Sequence, residues 1–279
     1  MANRKILHLL QLDPTLQCLS HISSHELHRL IHIPLPLAST ILQQIQRMNV
    51  PRLIEDYAKR NIRLITILDP LYPSYLKHIS NAPAVLFCKG NVSLLQHKRN
   101  ISVVGARKAT EYGIKLVSSF IRPLVREKWL IVSGLAKGID SLAHKAAIEE
   151  NGKTIAVIAG GFNHIYPKEH QQLSDIISKQ HLLISIYPPE RRPEKWMFPE
   201  RNQIISGLSL GTFVVQAAKK SGSLITAQFA LEEGREVFTV PASIFAEEFA
   251  GNINLIRDGA TIISSYKDIV NGLLPMMED

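Results

Sequence analysis

The sequence predicts an α/β protein, in which a small helical domain precedes a doubly wound, mostly parallel sheet. From about residue 100 onwards, apolar runs of strand length alternate with helical segments, as in a parallel sheet covered on both faces. Residues 1 to about 75 instead carry apolar positions at helical spacing, with prolines between them. The chain has 279 residues, of which 46% are hydrophobic and 20% are charged, so it can bury a sizeable core.

The N-terminal region is predicted to form a small helical domain over residues 1–70. Leu27, Leu30 and Ile31 recur at helical spacing, and the proline-rich stretch 69–73 ends this pattern because it cannot continue a helix. Residues 33–37 faintly resemble a degenerate helix-hairpin-helix or SAM-like domain, but leucines replace the glycines that would let the hairpin approach phosphate. We expect packing or partner contact here, and a second domain over residues 71–279.

Six strands are predicted in the second domain. Their apolar runs cover residues 101–104, 130–133, 154–158, 182–185, 212–215 and 236–240. In a doubly wound sheet, ligands bind outside the carboxyl ends of the strands, where turns lead into helices and backbone N–H groups face outward. The turns after these strands are therefore where we expect the functional site.

The charge balance favours an anionic partner. Lys and Arg number 32 against 24 Asp and Glu, giving a formal net charge of +8 and a pI near 9.5. Nucleic acid leads the possible partners, because a basic surface attracts polyanions over long range. The net charge alone does not exclude the alternative, which is that the basic surface only keeps the protein soluble.

The cysteines and histidines give no support for a metal or a disulfide. Cys18 and Cys88 are far apart in sequence and belong to no C-x-x-C pair. His25, His28 and His32 would share one helical stripe, where a metal could bind, but no carboxylate or thiolate cluster accompanies them. We therefore expect a solvated helix face, with no metal and no cofactor.

We expect no targeting signal in this sequence. Its first residues lead into a segment too polar for a signal peptide, and no apolar run approaches the length needed to span a membrane. We expect a cytoplasmic protein without membrane insertion.

Two turns follow the first predicted strands and carry features suited to an anion. After the first strand, an arginine stands beside a helix N-terminus, where its planar fork can hold phosphate or stack on a base. After the second strand, glycines permit close approach of the backbone to a phosphate, although tight packing alone also requires small residues. The candidate residues are Gly105 and Arg107 in the first turn, and Ser133, Gly134, Ala136, Lys137 and Gly138 in the second.

Two further segments complete the predicted site. Trp196 and Phe198 precede Arg201 and Asn202 at the start of a probable helix, and aromatic rings beside cationic groups are typical of single-strand binding. Both aromatic side chains could equally belong to the core. The stretch Ser221, Gly222 and Ser223 opens another helix. Four anion-suited turns at one sheet edge indicate an extended polyanion.

Nucleotide hydrolysis is not supported by any complete motif. The glycine spacing differs from G-x-G-x-x-G, and no complete P-loop occurs in the sequence. Gly152, Lys153 and Thr154 imitate the end of a P-loop, but position 147 is alanine and the triplet precedes a strand.

Read together, five motifs closely resemble those of the DprA/Smf family. They are V-V-G-A-R ending at Arg107, S-G-L-A-K-G-I-D-S-L-A-H from Ser133, F-P-x-R-N-x-I-I-S-G-L-S at 198–209, S-G-S-L-I-T-A at 221–227 and G-R-E-V-F-T-V-P at 234–241. The resemblance covers residues from about 70 to 265. It implies an extended Rossmann-like domain that forms a homodimer, binds single-stranded DNA without marked sequence preference and loads RecA during natural transformation. Single-strand-binding protein is a further partner to consider.

The resemblance also assigns the DNA-binding positions. It implies that Arg107, the turn from Ser133 to Gly138, Phe198, Arg201, Asn202 and Ser221 to Ser223 line the pocket. Three residues depart from the family pattern: Ile186 and Gln216 stand where glutamates are common, and Ala242 where glycine is common. The loss of two carboxylates weakens any acid–base role.

The main alternative is an enzyme like the LOG phosphoribohydrolases, a related Rossmann-like group of nucleotide-hydrolysing proteins. The S-G-S-x-x-T turn is similar to their phosphate loop, but such chemistry needs a carboxylate there, where this chain has Gln216 and serines. We therefore predict a binding protein and not an enzyme. A nucleotide sensor or a purely structural protein is a third possibility, which salt-sensitive DNA binding would separate from the first.

Overall fold

A computed structural model describes residues 3–277 of the chain. The chain divides into two compact units. The first comprises the described residues up to Ile62 together with Asn81–Ala84, and the second comprises Arg63–Ser80 and the described residues from Val85 on. The division of the chain into domains at residue 70 remains a prediction.

The first unit is helical. Its four helices are α1 (Asn3–Leu12), α2 (Ser24–Ile31), α3 (Leu35–Arg47) and α4 (Val50–Lys59). Leu9, Leu27, Ile31 and Leu42 form part of its core, because the apolar faces of α1, α2 and α3 are buried together. Helix α2 ends at Ile31, so His32 does not continue the histidine stripe that the sequence suggested.

The region predicted to hold only helices, up to about residue 75, is interrupted by a strand, and this part of the sequence-based prediction is wrong. Residues Ile62–Thr66 form strand β1, Ser74–Lys77 form the short helix α5, and Val85–Gly90 form strand β2. Strand β2 alternates between buried and more exposed positions, as expected for a strand with one face towards water, and β1 mixes buried with exposed positions. Both strands are short and lie near prolines, so the sequence pattern does not distinguish them from the preceding helices.

The second unit is built on a sheet with the strand order β1-β2-β6-β5-β4-β3-β7-β8-β9 among the described residues. Each of the six strands predicted from apolar runs is present, and β9 adds two residues at one edge. Strand β2 pairs with β6 antiparallel, and every pairing between strands β3 and β9 is parallel, which confirms the mostly parallel doubly wound fold. The remaining strands are β3 (Asn100–Val104), β4 (Leu130–Ser133), β5 (Thr154–Val157), β6 (Leu182–Ser185), β7 (Gly211–Val214), β8 (Glu236–Thr239) and β9 (Thr261–Ile262).

Helices follow most strands and cover the sheet. One core cluster includes Trp129, Phe213 and Phe238, which are fully buried together with apolar residues of the helices. Burial on both faces explains why the central strands are mostly apolar. The helices are α6 (Glu111–Arg126), α7 (Ile139–Glu149), α8 (Gln171–Gln180), α9 (Met197–Gly207), α10 (Ser223–Glu232), α11 (Ala250–Arg257) and α12 (Tyr266–Leu273).

Strand β3 marks the switch point of the sheet. The chain proceeds from β3 through β4 and β5 to β6 on one side, then crosses back so that β7 pairs with the other side of β3. Connections that leave two adjacent parallel strands in opposite directions open a crevice at their carboxyl ends. The fold therefore places a crevice beside Val104 and Val214, where these two strands end.

Candidate functional site

A cavity of about 600 Å³ opens at this switch point. Its wall combines the turn after β3, the start of α7, the first turns of α9 and the segment that leads into α10. Nine residues predicted from the sequence line it: Gly105, Arg107, Ala136, Phe198, Arg201, Asn202, Ser221, Gly222 and Ser223. Four segments that are distant in sequence thus meet in one place, as the sheet-edge argument predicted.

A buried arginine lies against a buried carboxylate in this pocket. Arg201 is only 5% exposed, and its Nη1 lies 3.7 Å from Asp140 Oδ2, which is an ion pair too long for a hydrogen bond. Burial lowers the pKa of Arg201, Asp140 opposes that shift, and the nearby charge of Arg107 adds to it. Arg201 Nε is buried without a hydrogen-bond partner among residues 3–277. An anion in the pocket would offset the repulsion between the two arginines.

The carboxyl group of Asp140 is held by its surroundings. Burial raises its pKa, while the charge of Arg201 and backbone N–H groups lower it. Gly134 N donates to Asp140 Oδ2 at 3.2 Å. Because its charge is compensated by Arg201 and this amide, Asp140 serves to position the arginine.

Of the two aromatic candidates near α9, only one lies in the pocket. Phe198 lines it and is half-buried, with Arg201 Cζ 5.9 Å from the ring centroid. Trp196 instead contacts the ring of Tyr187, at a centroid distance of 6.0 Å, and its Nε1 donates to Glu194 at 3.0 Å. The pocket therefore offers one aromatic face next to a guanidinium group.

The segment before α10 presents hydroxyl groups. Ser221 Oγ and Ser223 Oγ lie 2.7 Å apart, and Asn202 Nδ2 donates to Gly222 O at 3.2 Å, which ties this segment to α9. The amide of Leu224 donates to Ser221 O within the turn. The first amides of α10 are thus partly used locally, and the side chains carry more of the polar lining than the sequence suggested.

The glycine-rich turn after β4 lies largely behind the pocket. Ser133 Oγ donates to Val103 O at 2.7 Å inside the sheet, and Lys137 Nζ lies 2.7 Å from Glu169 Oε2 on the surface. The assignment of these residues as ligand contacts remains a prediction. Four candidates are outside the pocket lining: Ser133, Gly134, Lys137 and Gly138.

Two glycines of this turn make room for the residues that form the pocket. A Cβ atom on Gly134 would lie 1.2 Å from Arg201 Nη1. Gly138 has a φ of +72°, and its Cβ would lie 2.2 Å from Ala106 O and 2.7 Å from the carbonyl carbon of Arg107. These glycines are needed because a side chain or a backbone segment of the site occupies the adjacent space.

Replacing Gly138 with alanine is expected to destabilise the protein by about 1 to 3 kcal/mol, because its backbone conformation is unfavourable for an L-residue and the new methyl group meets main-chain atoms. Urea unfolding would measure this loss. Gly222→Ala is the matched control, since no atom lies within 4 Å of its added Cβ, and it should stay within about 0.5 kcal/mol of the parent. Equal stability of the two variants would contradict the prediction.

Several pocket residues were not predicted from the sequence. Asp140 belongs to the glycine motif that begins at Ser133. An acidic residue in the first turn of a helix is too common to indicate a buried ion pair. Lys220 directly precedes the predicted Ser221, and its position next to that residue is the sequence feature that could have indicated a place in the pocket. The other lining residues are Val104, Ala106, Pro199, Ala218, Ile225 and Thr226.

The groups around the pocket give little support for acid–base chemistry. Asp140 is the single carboxylate among the described residues that line it, and Arg201 pairs with it. Gln216 is fully buried outside the lining, and its Oε1 accepts hydrogen bonds from Thr110 N at 3.0 Å and Thr110 Oγ1 at 3.2 Å. The side-chain amide of Gln216 thus holds the start of α6.

The described part of the chain contains neither a cluster of metal ligands nor a membrane-spanning helix. Among residues 3–277, no three His, Cys, Asp or Glu side chains are grouped so that they could hold a metal ion. Within the same range, no helix has both the length and the apolar character required to cross a bilayer.

Comparison with known proteins gives consistent matches. The family model of DNA recombination-mediator protein A matches residues 63–274, a range that contains every residue lining the pocket. The DNA processing protein DprA of Bacillus subtilis is 49% identical over 238 residues, which are 85% of this chain and 80% of that protein.

Two solved structures share the fold. The X-ray structure of DNA processing protein A from Streptococcus pneumoniae matches with a TM-score of 0.87 and 37% identity, over 98% of this chain and 93% of that one. A structure of DNA processing protein A from Helicobacter pylori, described for its single-stranded DNA binding mode, matches with a TM-score of 0.68 and 27% identity, over 76% and 96% of the two chains.

Proposed function

Because the chain belongs to the DNA recombination-mediator protein A family, a family of DNA-processing proteins, we propose that its switch-point pocket binds single-stranded DNA. Binding is expected to be largely independent of sequence. The observation that carries this proposal is the pairing of a buried, incompletely hydrogen-bonded arginine with an aromatic ring in one pocket. A related protein from Helicobacter pylori is described as binding single-stranded DNA, which supports it.

The side chains of the pocket suit a nucleotide whose phosphate and base are both accessible. Arg107 and Lys220 supply positive charge at the surface of the pocket, and Arg201 supplies it deeper inside. Guanidinium groups bind phosphate through two parallel hydrogen bonds. The ring of Phe198 offers a stacking face to a base, which every base can use. In a duplex the bases are already stacked and paired, so Phe198 favours the single strand.

The same pocket is better suited to binding than to hydrolysis. Hydrolysis of a nucleotide by general acid–base catalysis needs a side chain near the scissile bond that is free to accept a proton. Asp140 is compensated by Arg201, and Gln216 has no acid–base capacity. We therefore infer that the protein is not an enzyme. Release of free base or phosphate from nucleotides by the purified protein would contradict this inference.

We infer that the protein delivers the bound strand to a recombinase. The family is described as recombination mediators, which supports loading of RecA onto incoming DNA during natural transformation, with single-strand-binding protein as a further partner. We expect a homodimer that works in the cytoplasm, where both cysteines would stay reduced. Light scattering tests the dimer, and RecA filament formation on coated single strands, with and without the protein, tests loading.

Replacing Arg107 with alanine is expected to weaken binding of labelled oligo-dT roughly tenfold to a hundredfold, since a hydrogen bond to a charged group contributes about 1.5 to 3 kcal/mol. Fluorescence anisotropy at several salt concentrations measures the dissociation constant. In the parent protein, log K should fall with log salt with a slope of about −0.7 per neutralised phosphate, and the slope should be shallower in the variant.

Lys108→Ala is the matched control for Arg107, because it removes the same charge one residue away and outside the pocket lining. It should change affinity much less. Duplex DNA serves as the competing ligand. If the parent protein fails to bind oligo-dT at any salt concentration, the proposal is wrong, and nucleotide ligands and hydrolase assays become the next tests.

A further inference from the structure

A second aromatic side chain stands next to the proposed DNA pocket without lining it. The ring of Tyr166 contacts Phe198, with centroids 5.8 Å apart and planes at 78°. Tyr166 is 54% exposed, so much of its ring faces water. Phe198 also lies beside Arg201. The stacking face in the pocket thus continues outward through a second, nearly perpendicular ring.

The segment that carries Tyr166 is anchored on both sides. Before it, Asn163 N donates to Pro189 O at 3.0 Å. After it, His170 Nδ1 donates to Leu135 O at 2.8 Å, in the turn that follows β4. The ring is therefore presented from a fixed backbone, and a ligand that uses it loses less entropy in ordering the site.

The ion pair between Lys137 and Glu169 strengthens this anchor. Both side chains are about half exposed, and their charged atoms lie 2.7 Å apart. The pair joins the turn after β4 to the residue that precedes His170. Lys137 therefore acts on the position of the Tyr166 segment, although it does not line the pocket.

We propose that Tyr166 is a second base-binding residue, which together with Phe198 forms a corner for one unpaired nucleobase. This inference rests on the single-stranded DNA binding proposed above. Two nearly perpendicular rings can receive a flat base stacked on one ring and in edge contact with the other, and aromatic groups favour both arrangements. A base can enter such a corner only after it has left its stack and its partner. The two rings are therefore expected to bind an unpaired base and to contribute nothing to the binding of phosphate.

The test compares oligo-dT with an abasic oligonucleotide of the same length, which keeps the phosphates and lacks the bases. Tyr166→Ala is expected to weaken binding of oligo-dT fivefold or more, the lower range for loss of a stacked base, and to leave binding of the abasic strand unchanged. Tyr166→Phe should keep most of the affinity. Arg107→Ala should weaken binding of both strands.

Tyr112→Ala is the matched control, because Tyr112 is 49% exposed and contacts another phenylalanine, Phe249, at 5.4 Å, at a different cavity. It should bind both oligonucleotides like the parent. The inference is overturned if Tyr166→Ala binds oligo-dT normally, or if it loses affinity equally for both strands. Absence of oligo-dT binding by the parent protein would overturn the proposed function itself, so the two failures are distinguishable.

Discussion

Replacing Arg201 with alanine is expected to lower the free energy of unfolding by about 3 to 5 kcal/mol, because it leaves the buried carboxylate of Asp140 without its counter-charge. Urea unfolding at neutral pH measures the change. The double variant Arg201→Met with Asp140→Leu removes both charges and should recover most of the stability. It should still fail to bind oligo-dT tightly, which separates the structural contribution of the pair from its role in the pocket.

The loss of unfolding free energy caused by Arg201→Ala should be smaller at low pH than at neutral pH. Burial raises the pKa of Asp140 in the folded protein above its ordinary value of 3.8, and loss of Arg201 removes a charge that opposes this shift. A carboxyl group with a raised folded-state pKa favours folding at low pH, and this contribution is lost as the pH rises through that pKa. The difference in free energy of unfolding between the parent protein and the variant should therefore decrease as the pH is lowered. A deficit that grows with acidity would show that Asp140 is not its source.

Replacing Phe198 with alanine is expected to weaken single-stranded DNA binding by about 1 to 3 kcal/mol, or roughly 5- to 150-fold, because a base loses its stacking face beside Arg201. Anisotropy with oligo-dT measures this effect. The salt dependence should stay the same, since no phosphate contact is removed.

Phe198→Leu is the control for Phe198→Ala, because it keeps apolar volume and removes the aromatic face. It should lose nearly as much affinity as the alanine variant. Combining Phe198→Ala with Tyr166→Ala should cost less than the sum of the single changes if the two rings hold one base. Full affinity of Phe198→Leu would show that the ring acts only as packing.

The central sheet could be predicted from the sequence because its strands are buried on both faces. Strands β3 to β8 are mostly apolar and, apart from Glu236, buried at every position, which makes side-chain hydrophobicity the dominant signal. Strands β1 and β2 have exposed positions and lie near prolines, so their signal is weaker. Strand β9 is two residues long, too short for any periodicity.

The sequence allowed us to predict which segments line the pocket, but not which of their side chains contact each other. The carboxyl ends of parallel strands meet at one sheet edge, and Arg107, Phe198 and Ser221 do line one pocket, although their role as DNA contacts stays a prediction. The pairing of Asp140 with Arg201 joins helices far apart in sequence, and no local pattern encodes it. Gly134 is required by the space that Arg201 occupies, which only the folded chain reveals.

The position of β3 at the switch point also sets when the pocket can form during synthesis. Ile101 pairs with Gly211, so the strand at the switch point needs a partner strand that is synthesised more than a hundred residues later. Such long-range pairing is slow to form, and domains of a nascent chain fold once their sequence has emerged from the ribosome. A chain that has emerged only as far as β6 has Arg107 but lacks Phe198, Arg201 and the serines before α10. The nascent protein therefore acquires the complete pocket only after most of the chain has been translated.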